Sequence, residues 1–150
     1  METQQYNISI DASPEEVWDV LWDDASYREW TSVFSEGSWA KTDWKKGSKV
    51  LFLDGKGEGM VSMIADNIPN EFMSIKHLGI LSNGVEDLDS EETRGWSGAM
   101  ENYTLRTKNG KTLLHVETDV TDEFKDYFQE TWPKALEKVK QLAEKKKVIG

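Results

Sequence analysis

Tyr6, Ile8 and Ile10 alternate with Asn7 and Ser9, a period of two that predicts a strand with one buried face. The pattern then changes to helical spacing. Ser13, Pro14 and Glu16 supply an N-cap, a proline suited to the first helical position and a carboxylate three residues on, so a helix starts there. Val17 and Leu21, with Trp18 and Trp22 one step round, form its apolar side, while Glu15, Glu16 and Asp19 face water. Asp23 and Asp24 interrupt it, and residues 25–30 form a second short helix with Tyr27 and Trp30 on one side.

Glycines at 37, 47, 55, 57 and 59 then punctuate short apolar runs, as in an antiparallel meander. The predicted strands are Ser38–Thr42, Lys49–Asp54, Gly59–Asn67, Phe72–Leu78, Ala99–Thr107 and Lys111–Thr121. Asn109-Gly110 joins the last two as a tight hairpin, because both residues tolerate positive φ. On its strands Tyr103 and Leu105 share one face, and Leu114, Val116 and Thr118 share another; both meet the core. Residues 79–98 read as a long, irregular acidic loop carrying Glu86, Asp87, Asp89, Glu91 and Glu92.

From Glu123 to Lys147, Phe124, Phe128, Trp132, Ala135, Leu136, Val139 and Leu142 recur at spacings of three and four, giving one long amphipathic helix. Pro133 removes a backbone donor and predicts a kink near Gln129–Trp132, with a hinge at the mouth of a cavity as its functional reading. Lys140, Lys145, Lys146 and Lys147 complement the negative end of the helix dipole.

The order strand, two helices, six strands and long helix resembles the helix-grip fold of START-like (SRPBCC) proteins, an α+β architecture in which an antiparallel sheet wraps a long C-terminal helix. Ala12-Ser13-Pro14-Glu15-Glu16-Val17-Trp18, followed by Trp30, is similar to the opening of the subfamily homologous to the C-terminal domain of the activator of Hsp90 ATPase. Residues 131–144, TWPKALEKVKQLAE, resemble its closing helix. The resemblance spans nearly the whole chain as a single domain. It implies a cavity between sheet and helix that holds an apolar molecule such as a lipid or a polyketide, and it raises a co-chaperone role. The separate N-terminal domain of the eukaryotic activator has no counterpart in these 150 residues.

Composition narrows the partners. At 150 residues one domain is expected, burying roughly 68–70% of its unfolded surface. A formal charge of -10 repels phosphate backbones, so nucleic acid is not an expected partner; the acidic loop reads first as a solvated segment, with a basic protein docking on it as the alternative. Seven Trp, five Phe and four Tyr argue for a packed core. With no cysteine and two separated histidines, neither thiolate chemistry nor a usual zinc site is expected, and no cofactor motif occurs; Gly55–Met60 matches a phosphate loop only superficially. No run of ~20 apolar residues predicts a membrane span, and a cytoplasmic location is the default.

The candidate ligand-binding residues are Trp30, Phe34, Phe52, Tyr103, Phe128 and Trp132, with Met60, Met63, Met73 and Met100 as adaptable fillers. Each has a plain alternative as core packing. Glu101 is the candidate catalytic residue and polar anchor: alternation turns it inward with Tyr103, although strand twist carrying it to the rim is the preferred expectation. His115 is expected to face solvent, and His77 is placed near the end of its strand. Three functions stand open: binding of a small apolar molecule, cyclase- or dehydratase-type chemistry in the same cavity, and docking of a protein partner.

Overall fold

A computed structural model describes residues 1–149, and for residues 146–149 the backbone only. β1 (Glu2–Ile10) leads into α1 (Pro14–Trp22) and α2 (Asp24–Thr31). There follow β2 (Trp39–Lys41), β3 (Lys49–Leu53), β4 (Gly59–Ile68), β5 (Phe72–Ser82), β6 (Val85–Asp87), α3 (Glu91–Arg94), β7 (Met100–Lys108), β8 (Lys111–Val120) and α4 (Lys125–Ile149). The strands form one antiparallel sheet in the order β1-β8-β7-β5-β4-β3-β2, with β6 paired to β5.

The start of α1 follows from its sequence. The Ser13 hydroxyl accepts from the Glu16 N–H at 3.2 Å, and the Glu16 carboxylate accepts from the Ser13 N–H at 3.1 Å, so two orphan donors are satisfied reciprocally. Replacing Ser13 with Ala removes half of this box; a loss of about 1 kcal/mol is expected in urea titrations, and a loss within error would show that Pro14 and packing alone hold the turn. Asn109 and Gly110 take φ values of 54° and 77° between Lys108 and Lys111, the tight hairpin expected there.

The acidic segment departs from the sequence reading. β5 runs on to Ser82 instead of ending at Leu78, turns through Asn83-Gly84 with φ 53° and 77°, and pairs back as β6. Ser90 then caps α3 by accepting from the Thr93 N–H. Gly79 interrupts the apolar pattern for a local reason: a Cβ there would lie 2.2 Å from the Asp87 carbonyl of the neighbouring strand.

α4 begins at Lys125, because residues 122–124 form a turn, and it continues helical through Pro133 without interruption. The carbonyl of Tyr127 also accepts from the Thr131 hydroxyl at 2.7 Å just before that proline. Trp132, Ala135, Leu136, Val139 and Ala143 of α4 share one core with Tyr103, Leu105, Leu114 and Val116 of the sheet and with Val17, Leu21 and Trp30 of the short helices. The Lys140 ammonium donates to the Ser9 carbonyl at 2.9 Å and pairs with Glu144 at 3.2 Å, a specific link to β1; the side chains of Lys146 and Lys147 lie outside the described residues. No helix among the described residues is long and apolar enough to cross a membrane.

Candidate ligand cavity

A β-bulge decides which side chains of β5 reach the inner face. His77 pairs with Ser62 and Gly79 with Val61, so Leu78 is an extra residue on β5. The bulge resets the alternation, and His77 and Ile80 both enter the space under the sheet. On β7, strict alternation carries Glu101, Tyr103 and Leu105 to that same face.

Between this face and the N-terminal half of α4 lies a two-lobed cavity. The larger lobe, about 620 Å³, is walled by Tyr27, Trp30, Phe34, Phe52, Tyr103 and Tyr127 among others. The smaller, about 350 Å³, is walled by Ile80, Trp96, Ala99, Val120 and neighbours. Met60, His77, Glu101, Phe124, Phe128 and Trp132 line both. Phe124 is 48% exposed and Tyr127 42%, so aromatic rings at the start of α4 meet solvent beside the cavity. Volumes of this size suit a small organic ligand.

The aromatic wall is a continuous network. Trp132 stacks on Tyr6 at 6.0 Å and meets Phe34 edge-on at 5.0 Å, with Trp30 and Tyr103 at 6.3 and 6.0 Å. The indole N–H of Trp30 donates to the Leu21 carbonyl, whereas that of Trp132 is buried with no acceptor among the described residues.

Inside the cavity sits a polar relay. Ser62 Oγ lies 2.7 Å from His77 Nδ1, His77 Nε2 lies 3.1 Å from Glu101 Oε1, and the Tyr103 hydroxyl donates to Glu101 Oε2. The Glu101 side chain is 21% exposed and that of His77 10%. Glu101 is therefore not at the rim: β7 holds its alternation to the end, and two donors from β5 and β7 fix the carboxylate under the sheet. Burial pushes the carboxyl upward, but the hydrogen bond and attraction of the His77 imidazole and the bond from Tyr103 outweigh it, holding Glu101 below the usual glutamate range. Burial, with the charge of Glu101 beside them, holds the phenols of Tyr27 and Tyr103 well above the ordinary tyrosine value, so Tyr103 remains a donor at neutral pH.

Trp30, Phe34, Phe52, Met60, Tyr103, Phe128 and Trp132 all line the larger lobe. Met100 lines neither lobe: it lies one step out of phase with Glu101 and Tyr103, registers with Lys76, and belongs to the other face of the sheet. Met73 is fully buried in the core, and Met63, also paired with Lys76, shares the outer side. His115 lies on the outer face as well, bonded to Asn7 and Glu117. Among the described residues no three metal-ligating side chains gather. Sequence reading missed Tyr27 and Phe124 as cavity walls and Ser62 as a partner of His77; Tyr27 was visible at helical spacing from Trp30, whereas nothing in the local pattern marked Ser62.

No protein-family model matches the sequence, and no curated protein matches it. Solved structures do. The chain is similar to the Aha1 dimer from Colwellia psychrerythraea, with 20% identity, TM-score 0.73, and coverage of 96% of this chain and 97% of that one. It is similar to CalU16 from Micromonospora echinospora, with 17% identity, TM-score 0.67, and coverage of 94% and 75%. It is also similar to DynU16 of the dynemicin biosynthetic locus, with 14% identity, TM-score 0.71, and coverage of 96% of this chain but 48% of that one. Identities this low speak to fold alone, and the fold is the helix-grip, an antiparallel sheet around a long C-terminal helix.

Proposed function

We propose that the protein binds a small, mostly apolar molecule in the cavity between β5, β7 and α4, with Glu101 as its polar anchor. The observation that carries this is the relay: a carboxylate held under the sheet by His77 and Tyr103 and lining both lobes of a mostly apolar space. Desolvating a charge costs stability, so a carboxylate placed in apolar surroundings marks a site rather than a core. Each carboxylate oxygen has one protein donor, which leaves lone pairs for a ligand. Burying the ligand's apolar surface at ~25 cal/mol per Å² supplies several kcal/mol before association costs, to which the polar anchor adds.

A thermal-shift screen against lipids, aromatic polyketides and flavonoids, followed by calorimetry, tests the proposal. A saturable ligand that raises the melting temperature and is weakened severalfold by Phe128→Ala is expected, since mass action stabilises the folded state. Silence across the library, with Phe128→Ala indistinguishable from the parent, would remove it. Glu101 beside His77 is also an acid/base pair in reach of a bound molecule, and turnover abolished by Glu101→Gln with binding retained would extend the role to catalysis.

A second reading, raised by the resemblance of residues 12–18 and 131–144, is an Hsp90-activator-like docking role. Its acidic segment is partly committed within the chain: Glu86 pairs with Lys49 at 2.7 Å, and Asp87 accepts from the N–H groups of Asp89 and Ser90. Binding to a basic partner that falls steeply with salt would favour docking over the cavity.

A further inference from the structure

Resting on the binding role above, we infer that the cavity's natural occupant is a lipophilic cation: an apolar, ring-bearing molecule whose protonated amine seats against Glu101. Charge balance in the relay is the starting point. Ser62 is fully buried, and the only partner for its hydroxyl among the described residues is His77 Nδ1. The hydroxyl proton is satisfied only by donating to Nδ1, which leaves Nε2–H to donate to Glu101. Tyr103 is a neutral donor, and Glu101 is the one acidic side chain of the relay. Among the described residues no lysine or arginine pairs with this carboxylate.

The rest of the wall points the same way. Neither lobe is lined by a lysine or arginine side chain. The larger lobe adds Asp54 and Glu58, and the Glu58 carboxylate has no hydrogen bond or ion pair among the described residues. A ligand carboxylate or phosphate in the larger lobe would therefore meet acidic side chains and no lysine or arginine. An ammonium meets Glu101, and around it the rings of Tyr27, Trp30 and Phe52 line the same lobe, groups whose π-systems attract desolvated cations. The chain's charge of -10 steers cations toward it.

Calorimetry of the intact chain near neutral pH against probes sharing one ring tests this: 1-naphthylmethylamine, 1-naphthylmethanol and 1-naphthoic acid. The amine is expected to bind at least about tenfold tighter than the alcohol, and the acid weakest, because one charge-assisted hydrogen bond is worth about that factor. Glu101→Gln should bring the amine down to the alcohol's affinity and leave the alcohol within about twofold. Glu58→Gln, at a half-buried position, provides a second variant, with an expected loss of about threefold for the amine only. An alcohol or acid that matches or exceeds the amine overturns the cation and leaves the binding role standing. An amine preference untouched by both variants does the same. Binding of none of these probes, when the broader screen finds a neutral hydrophobe, also overturns the cation alone; binding of nothing in either assay overturns both.

Discussion

Truncating Trp132 to Ala is expected to lower the unfolding free energy by about 3 kcal/mol, toward the lower end of the range for large aromatic deletions in cores. Trp132 is 3% exposed and touches Tyr6, Trp30, Phe34 and Tyr103, so one indole ties α4 to β1, β7, α2 and the segment after α2. The loss stays at the low end for a structural reason. The void opens onto both lobes, where water can enter, instead of sealing as an empty hole. The unpartnered indole N–H removed with the ring also returns part of the cost. Urea titration reads the difference, with Trp39→Ala as comparator: Trp39 is half-buried, with Arg28 over its ring at 5.1 Å, and its loss should cost under about 1 kcal/mol. Equal losses for the two variants would show that the aromatic network is not the keystone of the packing.

Much of this fold was legible because its local signals are strong. The capping box at Ser13, the period-two run in β1, the hairpin at Asn109-Gly110 and the apolar stripe of α4 each report a geometry fixed within a few residues. The segment after Leu78 shows where legibility ends. Asn83-Gly84 is the same dipeptide, set between Ser82 and Val85, and it makes the same kind of turn. The acidic residues around it and the glycine at 79 read as a loop, yet Gly79 is there for the close approach of Asp87, and Asp87 and Glu86 are bonded inside the fold.

The site was half visible for the same physical reason. Residues on one periodic element could be grouped by phase, which put Glu101 with Tyr103 and Phe128 with Trp132. Met100 fails by that very rule, being one residue away from Glu101. His77 and Ser62 could not be grouped, because the extra residue Ala65 shifts the phase of β4 against β5 ahead of this pair, so their meeting depends on a register that no local pattern shows. The relay is therefore a product of tertiary structure: three strands each contribute a side chain, and no strand alone announces it.

Replacing His77 with Leu should destabilise the protein by about 2 to 3 kcal/mol at neutral pH, below the 3–5 of a fully buried pair because Glu101 keeps the Tyr103 bond and some accessibility. The pH dependence separates this from simple repacking. In the parent, the folded carboxyl titrates below its ordinary 4.5, so its contribution is fully present above 4.5 and is lost as pH falls through the lowered folded value. In the variant, burial is no longer offset by the imidazole, which raises the folded carboxyl above 4.5. Its penalty is then felt above the raised value and shrinks as acid protonates Glu101. The variant's effect narrows the gap between neutral pH and 4.5, the parent's adds to it only below 4.5, and urea titrations at neutral pH and near 4.5 should show the first. A gap that is constant across that window would assign His77 to packing alone, and a gap that widens would place the missing proton on some other group. Adding Glu101→Gln to His77→Leu removes the stranded charge, so the double variant should be more stable at neutral pH than His77→Leu by about 1 to 2 kcal/mol.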